Sequence, residues 1–289
     1  MTVGIIGGSG VYEALDLEQE SSEHVETPFG EPSGPLTVGR LADEEVAFLP
    51  RHGPQHSLSP TDVPYRANVH ALKQVGVERV LATNAVGSLR EDLPPRTLVV
   101  PDQYFDRTKQ RPMSFFGDGV VAHLSMAEPY CPHTSAHLVA CADATDAEVV
   151  EGGTYVCIEG PQFSTEAESE FYRANGWDVI GMTTVPEANL AREAELCYAV
   201  LTGITDYDVW RDETVTLAEV QENAAANEAA INAVIERAIR TLPAERDCDC
   251  GSALEGAIIT PPEAIPTEKR DPLELLLEDH LPDADAGSS

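Results

Sequence analysis

Residues 65–89 read Y-R-A-N-V-H-A-L-K-Q-V-G-V-E-R-V-L-A-T-N-A-V-G-S-L, and the change of period inside this stretch decides the fold class. Its first part, Tyr65 to Val75, suggests a helix, and Val80 to Asn84 is a short apolar run that suggests a buried strand. The same alternation recurs along the chain. Strands are predicted at Val3 to Gly7, Val46 to Pro50, Leu98 to Pro101, Tyr155 to Glu159, Val179 to Met182 and Tyr198 to Asp206. Helices are predicted at about Thr134 to Ala142, Glu166 to Asn175 and Pro186 to Glu195, with a last one starting at Thr216. Thr165 with Glu168 has the pattern of a capping box, Gly176 stands just past that helix, and Thr216 with Glu219 opens the last one. Strands alternating with helices predict an α/β single domain with a central mixed sheet flanked by helices.

The chain has 289 residues, 42% of them hydrophobic, which is enough for one large core. After Thr260 the composition turns to Pro, Asp, Glu and Gly, so residues 1–260 are expected to form the domain and 261–289 an acidic, flexible tail. Fifty acidic residues against 18 basic ones leave a formal charge of -32. Such a surface repels nucleic acid. The acids are spread along the whole length, which favours adaptation to high intracellular salt over docking of a basic partner. No run is long and apolar enough for a membrane span, and no signal peptide can be drawn, so a cytoplasmic location is expected.

Five segments could carry chemistry. The first strand runs into Gly7-Gly8-Ser9-Gly10, whose glycines let backbone N–H groups approach an anion, although neither a dinucleotide fingerprint nor a P-loop is present. Arg51-His52-Gly53-Pro54-Gln55-His56 sets one arginine and two imidazoles at a strand end, a donor set suited to a tetrahedral oxyanion. Asn84 and Thr183 end two further strands, where open α/β sheets bind their ligands. Lastly Thr205-Asp206-Tyr207-Asp208 delivers two carboxylates to one side of a strand end, one able to stay protonated because the other is charged and close. Each segment alone is also compatible with an ordinary turn or a solvated loop. Of the six cysteines, the first four, Cys131, Cys141, Cys157 and Cys197, lie in apolar or mixed surroundings without metal-ligand spacing and read as buried thiols; Cys248 and Cys250 could form a redox or disulfide pair but lack the second pair a zinc site needs, so no metal is expected.

Taken in order, I-I-G-G-S-G at 5–10, R-H-G-x-Q-H at 51–56, N-A-V-G-S-L at 84–89, M-A-E-P at 126–129, E-G-P-Q-F-S-T at 159–165, G-M-T-T-V-P-E at 181–187 and T-D-Y-D at 205–208 resemble the trimeric purine nucleoside phosphorylase superfamily. Within it the chain is most similar to the methylthioadenosine phosphorylase branch. That resemblance implies phosphorolysis of a 6-aminopurine nucleoside, with inorganic phosphate as co-substrate and no cofactor. It implies phosphate held by Ser9, Arg51, His52, Asn84, Ala85 and Thr183, with His56 a further member. Met182 would pack on the ribose, Phe163 and Ser164 would lie beside the purine, Asp206 would assist at N7, and Asp208 would read the exocyclic amine. Leu217 would fit a 5′-methylthio group, and His123 would reach into a neighbouring subunit of a trimer or a dimer of trimers. Asn84 stands where the branch often has Thr or Ser and where 6-oxopurine enzymes have Asn. A 6-oxopurine nucleoside or methylthioinosine phosphorylase is therefore the alternative within the class, and a non-catalytic nucleoside-binding protein the alternative outside it.

Overall fold

The computed structural model describes residues 2–8, 15, 17–42, 44–145, 147–211 and 215–281. Its centre is β1 (Thr2–Gly7), flanked in parallel by β4 (Glu44–Pro50) and β5 (Val77–Ser88), with Ile5 level with both Phe48 and Leu81. β11 (Cys197–Asp206) runs parallel to β5 along its other edge from Arg79 to Gly87. Both faces of these strands are covered, so they are continuous apolar runs whose alternate residues enter different cores. Val3, Ile5, Leu81, Ala199 and Leu201 pack with α2 (Pro132–Asp143) and α5 (Leu217–Arg240). Ile6, Leu49, Val80, Ala82 and Val200 pack with α1 (Tyr65–Gln74) and α4 (Thr184–Glu193). The expected mixed α/β sheet with helices on both faces is thus present.

The predicted strand at Val80 to Asn84 is longer than its apolar run suggests. Its first half pairs with β1, and its far end, Gly87 and Ser88, pairs antiparallel with β10 (Val179–Gly181). β1 stops at Gly7 while β5 continues, and this divergence opens a crevice between the carboxyl ends of β1 and β4 and the β10 edge. β10 continues the sheet through β9 (Thr154–Ile158) to β7 (Gln103–Arg107). β6 (Leu98–Val100) adds to the outer edge of β11 and carries β8 (Val149–Glu151). On the opposite margin β4 is followed by β3 (Leu36–Leu41) and β2 (Glu18–Glu23). Sequence reading misses β2, β3, β7 and β8. All six residues of β2 are polar and exposed, so it has no apolar period to find and is a strand through its antiparallel ladder to β3.

Both predicted helix starts are built as expected. Thr165 and Glu168 form a reciprocal capping box at α3 (Glu166–Ala174), and Gly176 past its end has a φ of 75°. The Thr216 side chain accepts from the Glu219 N–H at α5.

Two expectations need correction. Residues 261–281 are not a loose tail: short helical turns at Pro262–Ala264, Thr267–Arg270, Asp271–Leu273 and Glu274–Leu277 bury Ile265, Leu273, Leu276 and Leu277 in the α1/α4 core. His280 Nε2 lies 3.0 Å from Glu195, adding a second anchor. Four apolar side chains hold a segment whose average composition is that of a solvated tail; residues 282–289 lie outside the described residues. The second correction concerns the cysteines. Cys248 and Cys250 do not stand apart as a lone pair, because Cys131 and Cys197, remote in sequence, join them in one cluster. Among the described residues no helix is long and apolar enough to cross a membrane.

Candidate active site

The crevice widens into a cavity of about 670 Å³, the size of site that takes a small organic ligand. Its floor is the second half of β5 and the end of β11, where Asn84 pairs with Thr202, Ala85 with Gly203 and Gly87 with Asp206. β5 and β11 come this close because Gly87 has no side chain: a Cβ there would stand 2.8 Å from an Asp206 carboxylate oxygen. α5 closes the cavity from above with Val220, Ala224 and Ile231, residues one and two turns apart on one face. Its position is held by Asn223 and Asn227, whose side-chain N–H groups donate to the carbonyls of Thr205 (2.7 Å) and Ile204 (2.9 Å).

Arg51 follows directly on β4 and is 3% exposed. Its Nε and Nη2 donate to the two carboxylate oxygens of Glu187, each at 2.8 Å, and its Nη1 donates to the Thr83 carbonyl at 2.8 Å. Glu187, on the first turn of α4, also accepts from the Tyr198 hydroxyl at 2.7 Å. Burial alone would favour loss of the Arg51 charge, but the Glu187 carboxylate outweighs it and raises the arginine pKa above its ordinary value. With a longer bond of 3.4 Å from Nη2 to the Ile6 carbonyl, four of its five N–H groups are committed, and the remaining one stays on Nη1.

His52 is half-buried, and its Nδ1 lies 2.9 Å from the Leu58 carbonyl. A carbonyl can only accept, so Nδ1 carries the proton and Nε2 is left as an acceptor. Burial, and then the neighbouring Arg51 charge, push this imidazole down to about 4, so it is neutral near pH 7. His56 stacks on it at 4.5 Å and also lines the cavity. Asn84 is buried; its Nδ2 is 3.5 Å from the Tyr155 hydroxyl and its Oδ1 has no partner. Thr183 is the N-cap of α4, with its hydroxyl not spent on capping.

Asp206 and Asp208 are 5% and 4% exposed. Asp206 accepts from the Asp208 N–H (2.8 Å) and from the Thr205 hydroxyl (2.7 Å). The chain turns left-handed at Asp208, φ 52°, so the side-by-side placement of the carboxylates comes from this turn rather than from strand alternation. Burial, opposed by the Ser169 hydroxyl and reinforced by the Asp206 charge, raises the Asp208 pKa. The Ser164 and Ser169 hydroxyls lie beside its Oδ2, but neither is in good hydrogen-bond geometry to it. Asp208 is therefore the member of the pair that burial pushes towards the protonated form.

Arg51, His52, Asn84, Ala85, Thr183, Met182, Phe163, Asp206 and Asp208 all line this one cavity, as do Gly8 and His56. Ser164 is half-buried behind Asp208. Two expected residues stand elsewhere. Leu217 begins α5 but is 65% exposed and outside the cavity wall, because the wall begins one turn later at Val220. His123 is exposed and also outside the wall, its backbone N–H bound to the Ala257 carbonyl. Ser9 lies outside the described residues.

Sequence reading misses Glu187, although it ends the G-M-T-T-V-P-E motif, and it misses Arg111 altogether. Arg111 is 6% exposed and donates to the carbonyls of Met182, Val185 and Glu159 at 2.5 to 2.7 Å, tying two turns of the cavity wall together. It comes from an irregular loop with no pattern around it. Nor does the absence of metal-ligand spacing survive as a guide. Among the described residues, the group of His, Cys, Asp or Glu side chains close enough to share an ion is the cysteine cluster, which is not part of the cavity wall.

The profile described as Phosphorylase superfamily matches residues 2–240. The S-methyl-5′-thioadenosine phosphorylase of Koribacter versatilis is 46% identical over 288 residues, 99% of this chain and 99% of that protein. A crystal structure of a methylthioadenosine phosphorylase from an antarctic soil metagenomic library superposes with a TM-score of 0.91 at 46% identity, over 95% of this chain and 98% of that one. Methylthioadenosine phosphorylase from Schistosoma mansoni in complex with adenine gives 0.83 at 37% identity, over 89% and 97%.

Proposed function

Because the chain belongs to the phosphorylase superfamily, we propose that its cavity performs phosphorolysis of S-methyl-5′-thioadenosine to adenine and 5-methylthioribose 1-phosphate. The observation that carries this reading is a single cavity with a buried arginine at one end and two buried carboxyls at the other. Asn84 and the Gly87 level of Asp206 are three strand steps apart, about 10 Å, so a sugar fits between an anion and a base.

In the reaction a phosphate oxygen bonds to the ribosyl C1′ as the C1′–N9 bond breaks. The bonding pair leaves with the purine, N7 takes the proton held by the Asp206–Asp208 pair, and the proton that dihydrogen phosphate gives up on bonding to carbon restores it. Positive charge grows on the sugar and negative charge on the base. Phosphate below the sugar offsets the first and the acid pair at N7 the second. Arg51, the Asn84–Ala85 segment, Thr183 and Ser9 hold the phosphate. His52 contributes Nε2 as an acceptor and so takes the hydrogen of a protonated phosphate oxygen. Asp206 hydrogen-bonds N7, and Oδ2 of Asp208 accepts from the exocyclic amine. Met182 packs on the ribose, and Phe163, at the mouth, covers the base. Val220 and Ala224 offer contact without hydrogen bonds, which suits a methylthio group. The equation balances with phosphate as the only co-substrate.

The assembly proposed is a homotrimer or a dimer of trimers, with His123 turned towards a neighbouring cavity. The charge of -32 is read as adaptation to salt, so stability and activity should rise into molar potassium chloride as self-repulsion is screened.

The test is base release from methylthioadenosine with and without phosphate in molar potassium chloride, with methylthioinosine and inosine alongside. Phosphate-dependent release of adenine is the expected result. Release from the 6-oxo nucleosides alone would favour the alternative that Asn84 keeps open, and no release from any would return the cavity to a binding role.

A further inference from the structure

The Sγ atoms of Cys131, Cys197, Cys248 and Cys250 all lie within 4.8 Å of one another, and Cys197 and Cys248 approach to 3.3 Å. Three of the four are buried and Cys248 is half-buried at the corner. Four Zn–S bonds of about 2.3 Å in a tetrahedron separate their sulfurs by about 3.8 Å, so the cluster needs shifts of under about 1 Å to close on a metal. Its surroundings suit thiolates. Cys131 is the N-cap of the 12-residue helix α2, whose positive end favours a sulfur anion. Arg192 Nη1 lies 3.6 Å from the Cys250 sulfur and supplies a charged donor behind the ligand. The ligands arrive from three remote parts of the chain: the start of α2, the start of β11, and the Cys-Asp-Cys turn beyond α5.

We propose that these four cysteines form a closed zinc(II) site that ties the C-terminal segment to the amino end of β11. Four S–H bonds release their protons to solvent as four Zn–S bonds form, and no oxidant is consumed. Thiolate softness and a tetrahedral four-sulfur set favour zinc over harder cations. Cys197 is nine residues from Asp206 along β11, about 30 Å, and four sulfurs leave no position for substrate, so the role is structural. The site is independent of the phosphorolysis reading. Its position explains how the chain after α5 returns to the core: Glu195, two residues before Cys197, receives the Leu254 N–H at 2.9 Å and His280 at 3.0 Å.

The experiment uses the full chain, purified under reducing conditions with zinc in the growth medium. Elemental analysis should find about one zinc per chain, released by roughly four equivalents of a mercurial thiol reagent. Exchange for cobalt(II) should give the visible bands and sulfur charge-transfer absorption of a tetrahedral thiolate centre. Cys248→Ser should lower bound metal at least about tenfold, whereas Cys141→Ser, outside the cluster, should leave it unchanged. Should Cys248→Ser not fold, the wild-type cobalt spectrum decides. Wild-type protein with no metal and four freely titrating thiols would overturn the proposal. So would an intact mass lower by the hydrogens lost to one or two disulfides.

Discussion

Glu187→Gln isolates the buried ion pair that shapes the phosphate end of the cavity. Arg51 and Glu187 are 3% and 1% exposed and joined by two hydrogen bonds of 2.8 Å. The variant keeps one amide oxygen for Arg51 Nη2 and the Tyr198 hydroxyl but turns its amide nitrogen towards Arg51 Nε, so it removes the charge and one of the two Arg51 bonds. An arginine left unpaired at this depth costs about 3–5 kcal/mol, and the retained hydrogen bonds put Gln near the lower end. At about 2–4 °C per kcal/mol, the melting temperature should fall by roughly 6–12 °C. Urea unfolding at fixed protein concentration and high salt reads the same quantity. Phosphate should restore more stability to the variant than to the wild type, because the anion supplies the charge that Glu187 no longer does. A loss below about 1 kcal/mol, or equal stabilisation of both proteins by phosphate, would refute the view that this pair sets the electrostatics of the site.

Asp206→Asn should lower kcat/KM for methylthioadenosine by about 10²–10⁴, the usual scale for a positioned acid or base, while unfolding changes little; wild-type rates would remove Asp206 from the reaction. His52 and Glu193 should give opposite pH dependences. The folded-state pKa of His52 is depressed to about 4, so its contribution is complete above the unfolded value near 6.5 and is lost as pH falls from there towards 4. Burial raises Glu193 to about 7 against its bonds from Ser114 and Phe115, so its contribution is complete below about 4.5 and is lost as pH rises towards 7. His52→Gln should flatten the acid side of the stability profile and Glu193→Gln the neutral side; unchanged profiles would contradict both. Leu276→Ala should cost about 2–5 kcal/mol by opening a cavity in the α1/α4 core, and a change under about 0.5 kcal/mol would return residues 261–281 to a solvated tail.

What the sequence determined by itself is what short-range physics controls. The apolar runs of β1, β4, β5 and β11 are set by burial on both faces. The helix starts at Thr165 and Thr216 are set by hydroxyls and carboxylates three residues apart. Because a parallel sheet gathers its carboxyl ends, reading those ends was enough to bring Arg51, Asn84, Thr183 and Asp206 into one cavity. Tertiary structure alone decided the partners. Arg51 meets a carboxylate 136 residues away, Arg111 reaches carbonyls of turns about 50 and 70 residues on, and Cys131 meets Cys197 and Cys250. It also decided that Leu217 stands clear of the cavity while Val220 faces it, since the helix phase follows from where Asn223 and Asn227 grip β11. Hydrogen-bond and hydrophobic periods act over a few residues along the chain, whereas which distant side chains share a buried space is set by strand register and crossover, and neither leaves a local mark.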